Sequence, residues 1–158
     1  MKKQEKVLSK LEEPAVAYGG NYSPLTAMIE GEYTNLTDFD LLSLIRKGVS
    51  KRSLLALAKQ ISLTIEELAV VLHISERTLQ RYTPGTLVKA APTDRAIELA
   101  RLYERGAEVM GSAKAFNSWM RSPNQALNDE IPLNLLDTSI GFDLILQVLG
   151  RIEYGIFS

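Results

Sequence analysis

Arg77, Gln80 and Arg81 stand three and one positions apart, with Ser75, Glu76 and Thr78 before or between them. On a short helix this spacing turns the long side chains outward, and their types suit DNA. Arginine can grip guanine with two hydrogen bonds and glutamine can do the same to adenine. Ser75 and Thr78 can reach phosphate oxygens, where a helix N-terminus already favours an anion. Ser75, Glu76, Arg77, Thr78, Gln80 and Arg81 are therefore the candidate DNA-contact residues, joined by Lys51 and Arg52 on the wet face of an earlier helix. Little else could do chemistry. The chain has no cysteine and one histidine, His73, which excludes disulfides, thiolate nucleophiles and a histidine metal cluster within one chain. Asp129, Glu130, Asp137 and Asp143 fall at turns and helix starts, where capping accounts for them. With no nucleophile, base or metal constellation, neither an enzyme nor a cofactor is expected.

A reading helix must be braced. Thr64-Ile-Glu-Glu67 forms a capping box opening a helix from Thr64 to Leu72, and Ser75 caps the next helix, Glu76 to about Tyr82, after a turn of only His73 and Ile74. Two helices joined by so short a turn predict a helix-turn-helix. Such a motif needs a small residue where the helices cross, a turn residue tolerant of positive φ, and apolar pins on either side. Ala69 is the small residue, and Ile74 and Leu79 are the pins. Leu68 and Leu72 face the core, and His73 takes the turn position as one of the side chains enriched there.

Charge follows the same division. The 158 residues carry a net charge of −1. Residues 46–95, however, hold nine Lys and Arg against four Asp and Glu, a local +5, while the flanking thirds are each at −3. A basic middle over a reading motif fits a polyanionic partner. With 46% hydrophobic residues the chain is globular. It has no apolar run of about 18 residues and no leader, so a soluble cytoplasmic protein with no membrane contact is expected.

Helical periodicity dominates, so the fold class is all-α. Residues 3–13 read as a charged amphipathic helix ended by Pro14, and Gly19 to Pro24 as turn or loop. Thr37 with Asp40 caps a helix ended by Gly48. Ser50 caps another, with Leu54, Leu55, Leu57, Ala58 and Ile61 inward and Lys51, Arg52 and Lys59 wet. A loop follows through Pro92, then a helix from Thr93 or Asp94 to Met110, and another begun by Ser112. Pro123 and Pro132 are each expected to open a short helical turn. The last helix runs from about Ile140 to Tyr154, packing Phe142, Ile145, Leu146, Leu149 and Ile152. Trp119 and the prolines read first as scaffold. The tail, with Arg151, Glu153, Tyr154, Ile156, Phe157 and Ser158, either folds back on its own domain or forms the hot part of a partner interface, where Arg, Tyr and Phe are favoured. The expected organisation is an arm over 1–36, a helix-turn-helix domain over 37–93, and a small helical domain over 94–158.

Several strings in the last third are familiar. Arg95-Ala-Ile-Glu-Leu-Ala-Arg-Leu, Ala115-Phe-Asn-Ser-Trp119, Ser122-Pro-Asn-Gln-Ala-Leu127, Pro132-Leu-Asn-Leu-Leu-Asp-Thr138 with Gly141, and Leu149-Gly-Arg-Ile-Glu-Tyr-Gly155 occur in order. Together they resemble the toxin-binding domain of Xre/MbcA/ParS antitoxins, and the preceding helix-turn-helix resembles the Xre-like half of that family. The resemblance implies a type II antitoxin that binds a cognate toxin and represses its own operon. It assigns the C-terminal third, and with it the tail residues, to the toxin. The usual partner for this domain order is a RES-domain toxin, of a family that degrades NAD⁺. The competing reading keeps DNA binding but gives the C-terminal third to dimerisation or a ligand, as in a stand-alone regulator. In either case one short reading helix covers only a half-site, so a homodimer or higher oligomer on operator DNA is expected.

Overall fold

The computed structural model describes residues 23–30 and 35–155. Within them the chain forms eight α-helices and no strand: α1 Pro24–Met28, α2 Asp38–Lys47, α3 Lys51–Gln60, α4 Ile65–Leu72, α5 Glu76–Arg81, α6 Ala90–Met110, α7 Ala113–Met120 and α8 Ser139–Glu153. Two 3-10 turns, Gln125–Leu127 and Pro132–Leu135, lie between α7 and α8. The expected helix over 3–13 lies outside the described residues.

Side-chain caps set most of the starts. Thr37 and Asp40 exchange hydrogen bonds at α2, as do Thr64 and Glu67 at α4. Ser50, Ser75, Ser112 and Thr138 each accept an N–H from the residue three positions on. Every such bond satisfies a donor that the helix itself leaves without a partner. Gly48 ends α2 at φ 87°, and a β-carbon there would stand 2.0 Å from the Val88 carbonyl oxygen. Only glycine fits that crossing.

Four local expectations change. Pro24 opens α1 instead of lying in a loop, because Ser23 caps the helix and proline is already set for a first turn. Its Met28 is fully buried against the core. The long helix α6 begins at Ala90, not Thr93. Pro92 falls in the first turn, where no N–H is needed, and buried Thr93 donates to the Lys89 carbonyl at 2.9 Å and accepts from the Val49 N–H at 3.3 Å. Pro123 opens no helical turn: Asn124, one residue later, caps the 3-10 turn through its side chain. Leu146, expected inside, is 41% exposed, because α8 buries the face made by Phe142, Ile145, Val148 and Leu149.

α6 is the spine. It packs against α1, α2, α4, α7 and α8, and the core runs without a break from Leu54 and Leu68 near the motif to Phe142 and Leu149 in the last helix. Two glycines permit the closest approaches to this frame. Gly106 lies under the Phe116 ring, which also meets Tyr103 edge-on at 5.1 Å and stacks on half-buried Trp119 at 5.9 Å. Gly141 sits against the Leu135 carbonyl oxygen, 1.7 Å from where a β-carbon would be.

Candidate nucleic-acid interface and C-terminal face

The turn between α4 and α5 has the geometry that the sequence requires of it. His73 adopts φ 56° and ψ 37°, its N–H bonding back to carbonyls of α4. Ala69 and Leu79 are buried and Ile74 packs on the core. α5 is pinned by its apolar side, and its opposite face is left to solvent.

On that face Arg77 and Arg81 are exposed and make no hydrogen bond or ion pair with any described residue. Both guanidinium groups are free to meet an anion. Gln80 is exposed too, but its amide donates to Glu76 Oε1 at 3.2 Å. Ser75 and Thr78 are joined by their hydroxyls at 2.7 Å, and Ser75 also accepts the Thr78 N–H. These two hold the helix start while still offering oxygen atoms at the surface.

Of the two cations expected to be wet, Arg52 is exposed and Lys51 is not. Lys51 is half-buried, and its ammonium donates to the Gln80 carbonyl at 3.3 Å and the Tyr82 carbonyl at 2.8 Å. It thus closes the C-terminal end of α5, where the helix dipole favours a cation. Backbone N–H groups of Lys51 and Arg52 bond to the Thr86 and Pro84 carbonyls, so the start of α3 also carries the loop after α5. Arg52 itself is exposed, 3.6 Å from Glu30. Lys51→Met is accordingly expected to lower stability by about 1 kcal/mol, the scale of a partly exposed charged hydrogen bond. Arg52→Met should leave the thermal midpoint unchanged. Equal midpoints for the two variants would show that the Lys51 contact holds nothing.

The motif is keyed to the rest of the molecule through contacts that no local pattern marks. His73 Nε2 donates to the Asp137 carbonyl at 2.5 Å, one residue before the cap of α8. Arg95 reaches the Val71 carbonyl with Nε and the Leu136 carbonyl with Nη2 at 2.8 Å, its guanidinium 5.5 Å from the Phe142 ring centre. Arg121 binds Glu67 at 2.9 Å and the Ser62 carbonyl at the same distance. The helix-turn-helix and the C-terminal third are therefore joined by hydrogen bonds as well as by a common core. Their partners lie between 24 and 64 residues away in sequence, which is why spacing alone does not reveal them.

The C-terminal face holds both exposed and engaged side chains. Tyr154 is 77% exposed just past α8, and Arg151 is exposed beside it. Glu153, by contrast, is held by both ends of the Arg105 guanidinium, with Nη1 to Oε1 at 3.1 Å. Ile156, Phe157 and Ser158 lie outside the described residues. No helix among the described residues is long and apolar enough to cross a membrane, and no cluster of potential metal ligands occurs among them.

Comparison with known proteins finds two matching domain families. The antitoxin Xre-like helix-turn-helix domain matches residues 40–101, and the antitoxin Xre/MbcA/ParS C-terminal toxin-binding domain matches residues 105–155. The mycobacterial cidal antitoxin MbcA of Mycobacterium tuberculosis (strain ATCC 25618 / H37Rv) is 31% identical over 100 residues, 63% of this chain and 87% of that protein. MbcA of Mycobacterium bovis (strain ATCC BAA-935 / AF2122/97) matches to the same extent.

Proposed function

Since the chain belongs to the Xre/MbcA/ParS antitoxin family and is an antitoxin of a toxin-antitoxin system, we propose how its two faces divide the work. The C-terminal face, with Arg151, Tyr154 and the residues after Gly155, binds the cognate toxin. The α5 face binds operator DNA and represses the chain's own operon. The observation that carries the DNA half is the pair of free guanidinium groups, Arg77 and Arg81, on a helix whose other polar ends are already satisfied. A cation left exposed and unpaired beside another resists closer packing and is available to phosphates and base edges. The toxin half rests on the match to a toxin-binding domain over 105–155 and on Tyr154, a large aromatic left in solvent at the end of that domain. The toxin's class follows from resemblance: a Xre-like reading domain followed by this C-terminal domain goes with a RES-domain, NAD⁺-degrading partner. The working unit is a homodimer, whose two α5 helices would lie about 34–36 Å apart, or a multiple of that, on a two-half-site operator.

Co-expression of the chain with the product of the adjacent gene tests this directly. The expected result is a stable complex on size-exclusion chromatography, rescue of growth by the antitoxin, and loss of cellular NAD⁺ when the neighbour is expressed alone. A neighbour that is harmless alone and does not co-purify would overturn the toxin half. A growth-arresting neighbour that leaves NAD⁺ untouched would overturn the RES assignment only.

A further inference from the structure

The solvent face of α8 carries more than the fold uses. Ile140, Leu144, Gln147 and Arg151 recur at spacings of four, three and four, so they share one row, opposite the Phe142, Ile145 and Leu149 that α8 buries. Ile140 is 73% exposed and Leu144 40%, although a helix face turned to water needs no large aliphatic group. The side chains of Gln147 and Arg151 make no hydrogen bond or ion pair with any described residue. The row leads into exposed Tyr154, and from Ile140 to Tyr154 it measures about 21 Å.

Gly150 is an independent sign at the same face. It stands within α8, three residues after Gln147 and four before Tyr154, and a β-carbon there would meet nothing within 4 Å. Gly106 and Gly141 differ, because a β-carbon at either would collide with the Phe116 ring or the Leu135 carbonyl. Glycine weakens a helix interior relative to alanine, and at position 150 nothing in the described fold requires the loss. A missing β-carbon on an open face leaves room for a surface that comes from outside. Resting on the assignment of the C-terminal face to the toxin, we propose that the toxin covers the solvent face of α8 along its full length, from Ile140 to Tyr154, and packs most closely over Gly150. The complementary surface is a groove that receives a helix, apolar opposite Ile140, Leu144 and Tyr154 and acidic opposite Arg151. Two observations select the toxin as the occupant. Residues 105–155 match a toxin-binding domain, and the row is continuous with Arg151 and Tyr154, the groups already given to that partner.

The test is competitive titration of full-length variants against the purified product of the adjacent gene, with thermal melts and sedimentation of the free antitoxin beside it. Ile140→Glu/Leu144→Glu should melt like the parent and bind about a hundredfold or more weakly. Gly150→Ala is expected to raise the melting midpoint, since the helix loses its glycine, and yet to weaken the complex about tenfold. A glycine with a purely structural role would not give these opposite shifts. Phe39→Glu, which alters a comparably exposed apolar group on α2, should leave the affinity unchanged. A double variant that binds like the parent, while removal of residues 154–158 abolishes binding, would overturn this proposal and leave the toxin assignment standing. A parent that does not bind the neighbour at all would overturn both. Altered sedimentation of the free double variant with unchanged toxin affinity would also overturn it, because a second copy would then cover the face. Should the double variant not melt cooperatively, Gly150→Ala decides alone: an affinity equal to or above the parent's would sink the proposal.

Discussion

A protein carrying Arg77→Ala, Gln80→Ala and Arg81→Ala together is expected to melt like the parent and to lose about 4 kcal/mol of operator affinity, roughly a thousandfold, on a base-reading scale of about 1–3 kcal/mol per side chain. Stability should hold because the three side chains face solvent while Leu79 alone anchors α5 in the core. Gln80 adds an internal check. To read adenine with both amide atoms it must release Glu76 Oε1, so Glu76→Ala removes both a competitor and a negative charge from the proposed contact face. Glu76→Ala should bind operator more tightly than the parent. Mobility-shift titrations at fixed salt, on operator and scrambled fragments, read both effects. A folded triple variant that shifts the operator like the parent would remove α5 as the reader.

Removing residues 154–158 is expected to abolish protection against the toxin while leaving the helical fold and the operator affinity in place. The cut is set by the Arg105–Glu153 pair: a shorter chain ending before Glu153 would break a contact that ties α8 to α6 and confuse stability with binding. Phe142, Ile145, Val148 and Leu149, which fasten α8, all remain. Tyr154→Ala and Phe157→Ala should each weaken the complex by about 2 kcal/mol or more if they are central anchors. Glu153→Gln should weaken it by less, because its carboxylate is already engaged within the chain. Competitive titration against the toxin, with cooperative melting as the control for folding, measures these differences. Full protection by a folded truncated antitoxin at ordinary expression would refute the assignment of this end to the toxin.

The parts of the molecule legible in the sequence are those governed by neighbours three or four residues apart. The capping pairs Thr37–Asp40 and Thr64–Glu67, the Ser50, Ser75 and Ser112 caps and the left-handed His73 are local hydrogen-bond and backbone problems. Their solutions are written in adjacent residue types. The exposed face of α5 follows from the same periodicity once Leu79 is known to point inward. Errors arose where local signals competed. Pro24 and Pro92 read as loop residues, yet each occupies a first turn, where a missing N–H costs nothing.

What the sequence by itself determined is thus the order of the helices from Thr37 onward, the motif and, through the ordered strings of its last third, the family. Tertiary structure alone decided which charges remain free. Lys51 and Glu153 look like solvated, available groups in a linear reading, and each is taken by a partner at least 29 residues away. Arg77 and Arg81 look no different in sequence and stay unpaired among the described residues. The physical reason is that a cap is fixed by backbone geometry within one turn, whereas an ion pair or carbonyl contact depends on where distant helices are placed by packing. That placement is set by the shared core around α6, and the solvent face of α8 is left open only as its consequence.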